Sequence, residues 1–194
     1  MICIENIILI KKHGDFMSKY EEQIKDIASE NKVSNTNTNS IGNTIEIESV
    51  NSNVGSNNTS KIPTFKGFNV LGSIEIPKTG INYPILERVT PKSLEASVAY
   101  YYGPGLNEVG NTTIVGHNYR NGAFFGKNKQ LKEGDSIYIK DNSGRKIKYT
   151  IYKTYTTTET DAEYITRDTN GAREISLSTC TDDSKGRLII LAKE

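Results

Sequence analysis

The sequence predicts an all-β domain, and three observations carry the prediction. Eight short runs rich in β-branched and aromatic residues succeed one another after residue 64, separated by turn-forming residues. Ile137/Ile139 and Ile147/Tyr149/Ile151 alternate with polar neighbours, the period of strands with one buried face. Leu188 to Ala192 is apolar throughout, as expected of a strand buried on both faces. Many short strands joined by turns point to a barrel or a sandwich, and no internal repeat is visible.

Taken in order, residues 1–33 read as a tail with one short amphipathic helix. Over residues 17–30, Met17, Tyr20, Ile24, Ile27 and Ala28 share a helical face, and Ser18 with Glu21 offers a capping box. Residues 34–63 read as a flexible polar linker. Between 34 and 60, 18 of the 27 residues are Asn, Ser or Thr and none is Lys or Arg, too little apolar surface to offset ordering entropy. On that reading, deleting residues 1–62 leaves stability and activity unchanged. Residues 64–194 form the folded domain, with strands expected over 70–76, 82–86, 98–102, 111–116, 136–140, 146–155, 174–179 and 187–192. A helical turn is expected over 91–97, where Thr90 supplies a cap and Pro91 the first helical position.

Bulk numbers exclude several functions. A formal net charge of +1 gives no electrostatic case for nucleic acid or an anionic membrane. No run approaches the roughly 18–20 apolar residues that span a bilayer; Ile2 to Ile10 is too short and is broken by Glu5 and Asn6. Nor does it match a signal peptide, since no basic residues precede it and no small-residue cleavage site is evident. The two cysteines, Cys3 and Cys180, are not expected to pair, because Cys3 lies in the tail. The domain has one histidine and lacks CxxC and HExxH spacings, so no zinc, no other metal and no cofactor is expected.

The chemistry gathers near the end of the chain. Residues 174–194 read EISLSTCTDDSKGRLIILAKE, two apolar runs around a polar, Gly-containing turn, which is a hairpin signature. With the turn at 181–186, Cys180 ends one strand opposite Arg187, which begins the next. Antiparallel partners at such a position lie about 4.5–5.5 Å apart between Cα atoms, side chains on one face. A neighbouring cation favours thiolate over thiol, and a guanidinium can also stabilise an oxyanion. Acyl transfer to or from an amine further needs an acid–base group, most often histidine. His117 ends the strand-like run NTTIVGH, whereas His13 lies in the tail.

LSTC followed by Arg187 resembles the TLxTC-then-Arg signature of the sortases, cysteine transpeptidases of Gram-positive cell surfaces. IVGHN resembles their histidine segment. The resemblance runs from about residue 68 to the C-terminus, with Ser176 where the first Thr of the signature is usual. It implies a closed eight-stranded sortase β-barrel with short helical turns. It further implies that Cys180 attacks the Thr carbonyl of an LPxTG-like sorting signal, that Arg187 steadies the oxyanion or the peptide, and that His117 protonates the leaving Gly amine. Thr179 is implied to shape the oxyanion site through its backbone or hydroxyl, and Asn118 to wall the cleft.

The implied partners are the sorting-signal peptide of a surface protein and a cell-wall or pilin amine. The implied setting is the extracellular face of the membrane, and a monomer is expected. Residues 34–69 hold no Asp-Pro-aromatic lid of the class C kind, and residues 156–173 leave little room for a class B insertion, which favours a class A- or D-like enzyme. Calcium-binding acids known from some class A members are not matched by Asn107-Glu108. Two other readings of the same residues are a cysteine peptidase that delivers the acyl group to water and an inactive extracellular binding module. Phe124 and Phe125 are expected to pack in the core, and Asp182 and Asp183 to form the turn.

Overall fold

The predicted strands close into one circuit. In the computed structural model, residues 15–25 and 62–194 are described. They form α1 (15–25), then β1 (Thr64–Phe65), β2 (Phe68–Ile76), β3 (Ile81–Leu86), α2 (Pro91–Ala96), β4 (Val98–Tyr102), β5 (Gly110–Val115), β6 (Ser136–Asp141), β7 (Lys146–Thr158), α3 (Glu163–Thr166), β8 (Arg173–Cys180) and β9 (Gly186–Lys193). The sheet runs β2-β3-β4-β5-β8-β9-β7-β6 and closes through the antiparallel β2–β6 pairing, giving an eight-stranded barrel. The two residues of β1 add only an edge to β2. All eight predicted strands are present, each within three residues of its expected ends.

Two pairings in the circuit are parallel, β3–β4 and β5–β8. The second matters most, because it brings the C-terminal ends of β5 and β8 out at the same end of the barrel. Inside, Ile74, Ile76, Ile85, Ile114, Ile137 and Ile139 are fully buried in one apolar cluster. Outside, α3 covers β9: Tyr164 packs on Ile189 and Leu191, while Ile190 and Ala192 face the interior. Residues 189–192 are thus buried on both faces, as their composition predicts, whereas Leu188 is only half-buried. The four residues of α3 carry too little periodicity to be read from the sequence.

The turn at 91–97 forms as expected. Thr90 Oγ1 accepts from the Ser93 amide at 3.0 Å, and Ser93 Oγ accepts from the Thr90 amide at 2.8 Å, with Pro91 at the first position. This reciprocal cap satisfies two amides that a helix start otherwise leaves unpaired.

Two expectations about the N-terminal segment are corrected. Residues 15–18 are already helical, so Ser18 does not cap α1. Nor is α1 a free appendage: Met17, Tyr20 and Ile24 are buried against Phe65, Val70, Leu86, Ala96 and Ala99 on the barrel's outer face. Tyr20 donates to Asn142 Oδ1 at 2.8 Å, and Asn142 donates in turn to the Val70 carbonyl at 2.7 Å. Burial, and secondarily the Asp141 charge, pushes the Tyr20 phenol above its usual range, so it stays a donor. Deletion of residues 1–62 would therefore remove buried apolar surface, so a loss of stability is the outcome to expect on truncation. Cys3, His13, Ile27, Ala28 and the linker as far as residue 61 lie outside the described residues.

Candidate active site

The hairpin is built as its sequence implies. The turn is tied by the Thr181 amide to the Gly186 carbonyl at 3.0 Å and by the Ser184 amide to the Thr181 carbonyl at 2.9 Å. Ser184 takes the left-handed conformation, at φ 61°. Asp183 accepts from Thr181 Oγ1 at 2.5 Å and from the Lys185 amide at 3.1 Å, which makes it a turn former. These contacts close the loop so that Cys180 and Arg187 are direct cross-strand partners.

His117 joins them through the parallel ladder. That ladder reaches Val115 opposite Ser178, and the Gly116 amide donates onward to the Ser178 carbonyl at 3.2 Å. Two residues further along each chain stand His117 and Cys180. Ile114, Ile175, Leu177 and Ile190 belong to the interior cluster. Alternation therefore sends His117, Cys180 and Arg187 to the outer face. All three are half-buried, and Cys180 is a free thiol.

Asn118 clamps the two strand ends together. Its amide donates to the Cys180 carbonyl at 2.9 Å and to Asp182 Oδ1 at 3.0 Å. Asp182 also pairs with Lys129 at 2.9 Å. Hydrogen bonds from Lys129 first and Asn118 second hold the Asp182 carboxyl below the usual carboxylate range. The clamp between Asp182 and Lys129 joins loops 53 residues apart, which no local pattern in the sequence discloses.

Thr179 is turned inward and buried. Its hydroxyl donates to the Gly116 carbonyl at 2.7 Å, next to His117. Phe124 and Phe125 sit in the core, fully buried as expected, and the Phe125 amide donates to the His117 carbonyl at 3.0 Å. The His117 ring lies 5.1 Å from that of Tyr119, centre to centre. Arg187 donates from Nη1 to the Gly186 carbonyl at 3.1 Å, and its Nη2 is 3.9 Å from Glu159. So loose an ion pair, between side chains 29% and 66% exposed, leaves the guanidinium free to turn toward a ligand.

Beside the thiol lies a cavity of about 170 Å³, walled by Phe125, Thr156, Thr179, Leu188 and Asp182. It is smaller than the roughly 300–1,000 Å³ of a small-molecule pocket. Such a space suits one or two residues of extended chain laid across Cys180. Among the described residues, no group of three or more His, Cys, Asp or Glu side chains could hold a metal.

Residues 74–194 match the family model of the sortase domain. The chain belongs to the sortase family. Sortase A of Bacillus anthracis is 32% identical over 120 residues, which cover 60% of this chain and 56% of that protein. Among solved structures, a Clostridium perfringens sortase D5 transpeptidase superposes with a TM-score of 0.59 at 28% identity, covering 64% of this chain and 78% of that one. Listeria monocytogenes sortase A gives the same TM-score at 25% identity, over 64% of this chain and 86% of the other. In this sortase the β5–β8 and β8–β9 pairings bring the chain segments of His117, Cys180 and Arg187 to one end of the barrel.

Proposed function

We propose that this sortase is a transpeptidase with Cys180 as nucleophile, Arg187 as oxyanion or peptide donor and His117 as acid and base. The Cys180 thiolate attacks the carbonyl carbon of Thr in an LPxTG-like sorting signal. The C–N bond to Gly breaks, His117 gives a proton to the departing amine, and a thioester to Cys180 remains. An incoming amine then loses its proton to His117, forms the new C–N bond and releases the thiolate. Arg187 donates to the oxygen that carries charge in each step. Asn118 is a positioning residue, holding the Cys180 strand end against the His117 segment. Thr179 shapes the oxyanion site through its backbone or hydroxyl.

The observation that carries this reading is the direct pairing of Cys180 with Arg187, at a strand end that the His117 segment also reaches. The substrate is a surface protein's sorting signal and the acceptor a cell-wall or pilin amine. The enzyme works as a monomer at the extracellular face of the membrane, without a cofactor or metal. Among the described residues no helix is long and apolar enough to cross a membrane. The test is product analysis of an LPxTG-type peptide with and without an amine acceptor. Cleavage that becomes ligation when the amine is added, and that is lost in Cys180→Ala with the fold intact, is the expected result. Release into water alone at every amine concentration would make the chain a peptidase; no cleavage and no activated thiol would make it a binding module.

A further inference from the structure

A second and larger cavity, of about 570 Å³, opens beside the one at Cys180 and shares with it Asn118, Lys129, Thr181 and Asp182. Its far wall is the loop that follows His117. That wall carries Arg120, Lys127 and Lys129, three cations against the single carboxylate of Asp182. Lys129 is already paired with Asp182. Arg120 and Lys127 have no salt bridge among the described residues, and both are exposed.

The wall is preformed. The Gly122 amide donates to the Tyr119 carbonyl at 2.8 Å, the Gly126 amide to the Ala123 carbonyl at 3.0 Å, and the Gln130 amide to the Lys127 carbonyl at 3.0 Å. Fully buried Phe124 and Phe125 anchor it to the barrel. Gly122, at φ +82°, has no side chain where the Lys127 stem passes; a Cβ there would stand 2.8 Å from Lys127 Cε. A side chain at Gly126 would strike the Tyr119 carbonyl at 2.2 Å. The two glycines let the loop fold tightly while its cations face the cavity.

We propose that this cavity binds the acceptor, and that the acceptor is an amine carrying a free carboxylate within about a dipeptide's length. The proposal rests on the transpeptidase reading and names the second substrate of that site. Two arguments favour it. The cavity's wall begins at Asn118, next in the chain to His117, and it adjoins the cavity at Cys180, so an amine held there is close to the thioester and to the segment of the proposed base. The cavity's three cations, set against the one carboxylate of Asp182, suit an acceptor that brings a carboxylate of its own. Cations around an arriving ammonium disfavour its charged form and so favour the neutral amine that can attack. A carboxylate on the same molecule offsets the repulsion that would otherwise keep the amine out. In the step itself the amine nitrogen bonds to the thioester carbon, the C–S bond breaks, and the proton passes to His117.

The test compares diglycine with diglycine amide, which differ by one negative charge. With the full chain and an LPxTG-type peptide, the ratio of ligated to hydrolysed product reads acceptor capture independently of how fast the thioester forms. Diglycine should half-saturate ligation at a concentration roughly three- to tenfold lower than its amide, as expected for exposed charge pairs. The double variant Arg120→Gln/Lys127→Gln should remove most of that preference. Binding is also read without turnover, from the Gly122 and Gly126 amide chemical shifts in a diglycine titration. Equal half-saturation by the two acceptors, or a preference that survives in the double variant, would overturn the proposal while leaving the transpeptidase reading intact. A peptide cleaved without ligation to either acceptor would overturn both.

Discussion

Two patches on the outside of this barrel show how one surface serves stability and chemistry differently. Under α1, the outer face of β2, β3 and β4 is apolar, and Met17, Tyr20 and Ile24 cover it. Its polar groups are tied together: Tyr20 donates to Asn142, and Asn142 donates to the Val70 carbonyl. At the ends of β5, β8 and β9 the arrangement is the reverse. Cys180 is half-buried with no disulfide, His117 and Arg187 are half-buried, and the contacts that fix the site run through backbone and through Asn118. The closed patch holds its side chains; the open patch holds its strand ends and leaves its candidate catalytic side chains half-exposed. Damage to the first should appear in stability, and damage to the second in turnover.

The sharpest way to break that division is Arg187→Lys. Lysine keeps the charge but lacks the planar, multi-donor group that reaches an oxyanion in a fixed direction. Losing one well-placed donor costs on the order of 100- to 1,000-fold in turnover. The melting temperature and the rate of Cys180 alkylation against pH should both stay near those of the native protein. Retention of most ligation activity would reduce Arg187 to a charge.

Tyr20→Ala tests the closed patch. Emptying a fully buried aromatic site costs about 3 kcal/mol, a fall of roughly 5–10 °C in melting temperature for a chain of this size. Ligation at 25 °C should change less than about twofold, since the site is built by other strands. A variant with native melting temperature would mean that α1 does not bear on the barrel's stability.

A smaller effect concerns Asp141. Burial raises its carboxyl, but hydrogen bonds from Ser143, Asn107 and Arg145 outweigh burial and hold it below the ordinary value of 3.8. A depressed folded value stabilises the native state above the unfolded pKa, and that contribution is lost as pH falls through the folded one. Asp141→Asn should therefore be about 1–2 kcal/mol less stable at pH 7, with the gap closing below about pH 4. Denaturant titrations at both pH values measure it. A gap that stays constant with pH would assign the loss to packing.

What the sequence disclosed follows from how local each signal is. Strands showed themselves by alternation, α2 by Thr90 and Pro91, and the pairing of Cys180 with Arg187 by the six-residue turn between them. The parallel β5–β8 ladder could not be read from spacing; His117 stood out as the one histidine of the domain, and the family signature strengthened its link to Cys180. The Asp182–Lys129 pair and the cover of Tyr164 over Ile189 were hidden for the same reason, being contacts between segments apart in the chain. The docking of α1 was missed although its apolar face was visible. A periodic stripe says that something must be covered, not where.

The central claim is that Cys180 carries the acyl group between two amines. Intact-mass spectrometry of the full chain, mixed with an LPxTG-type peptide and no acceptor, tests it directly. One adduct should form, equal in mass to the acyl fragment ending at Thr and mapped to Cys180. Addition of diglycine should discharge it, with the ligated peptide appearing in equal amount. Cleavage of the peptide with no adduct on Cys180, or an adduct that amines do not discharge, would contradict the account.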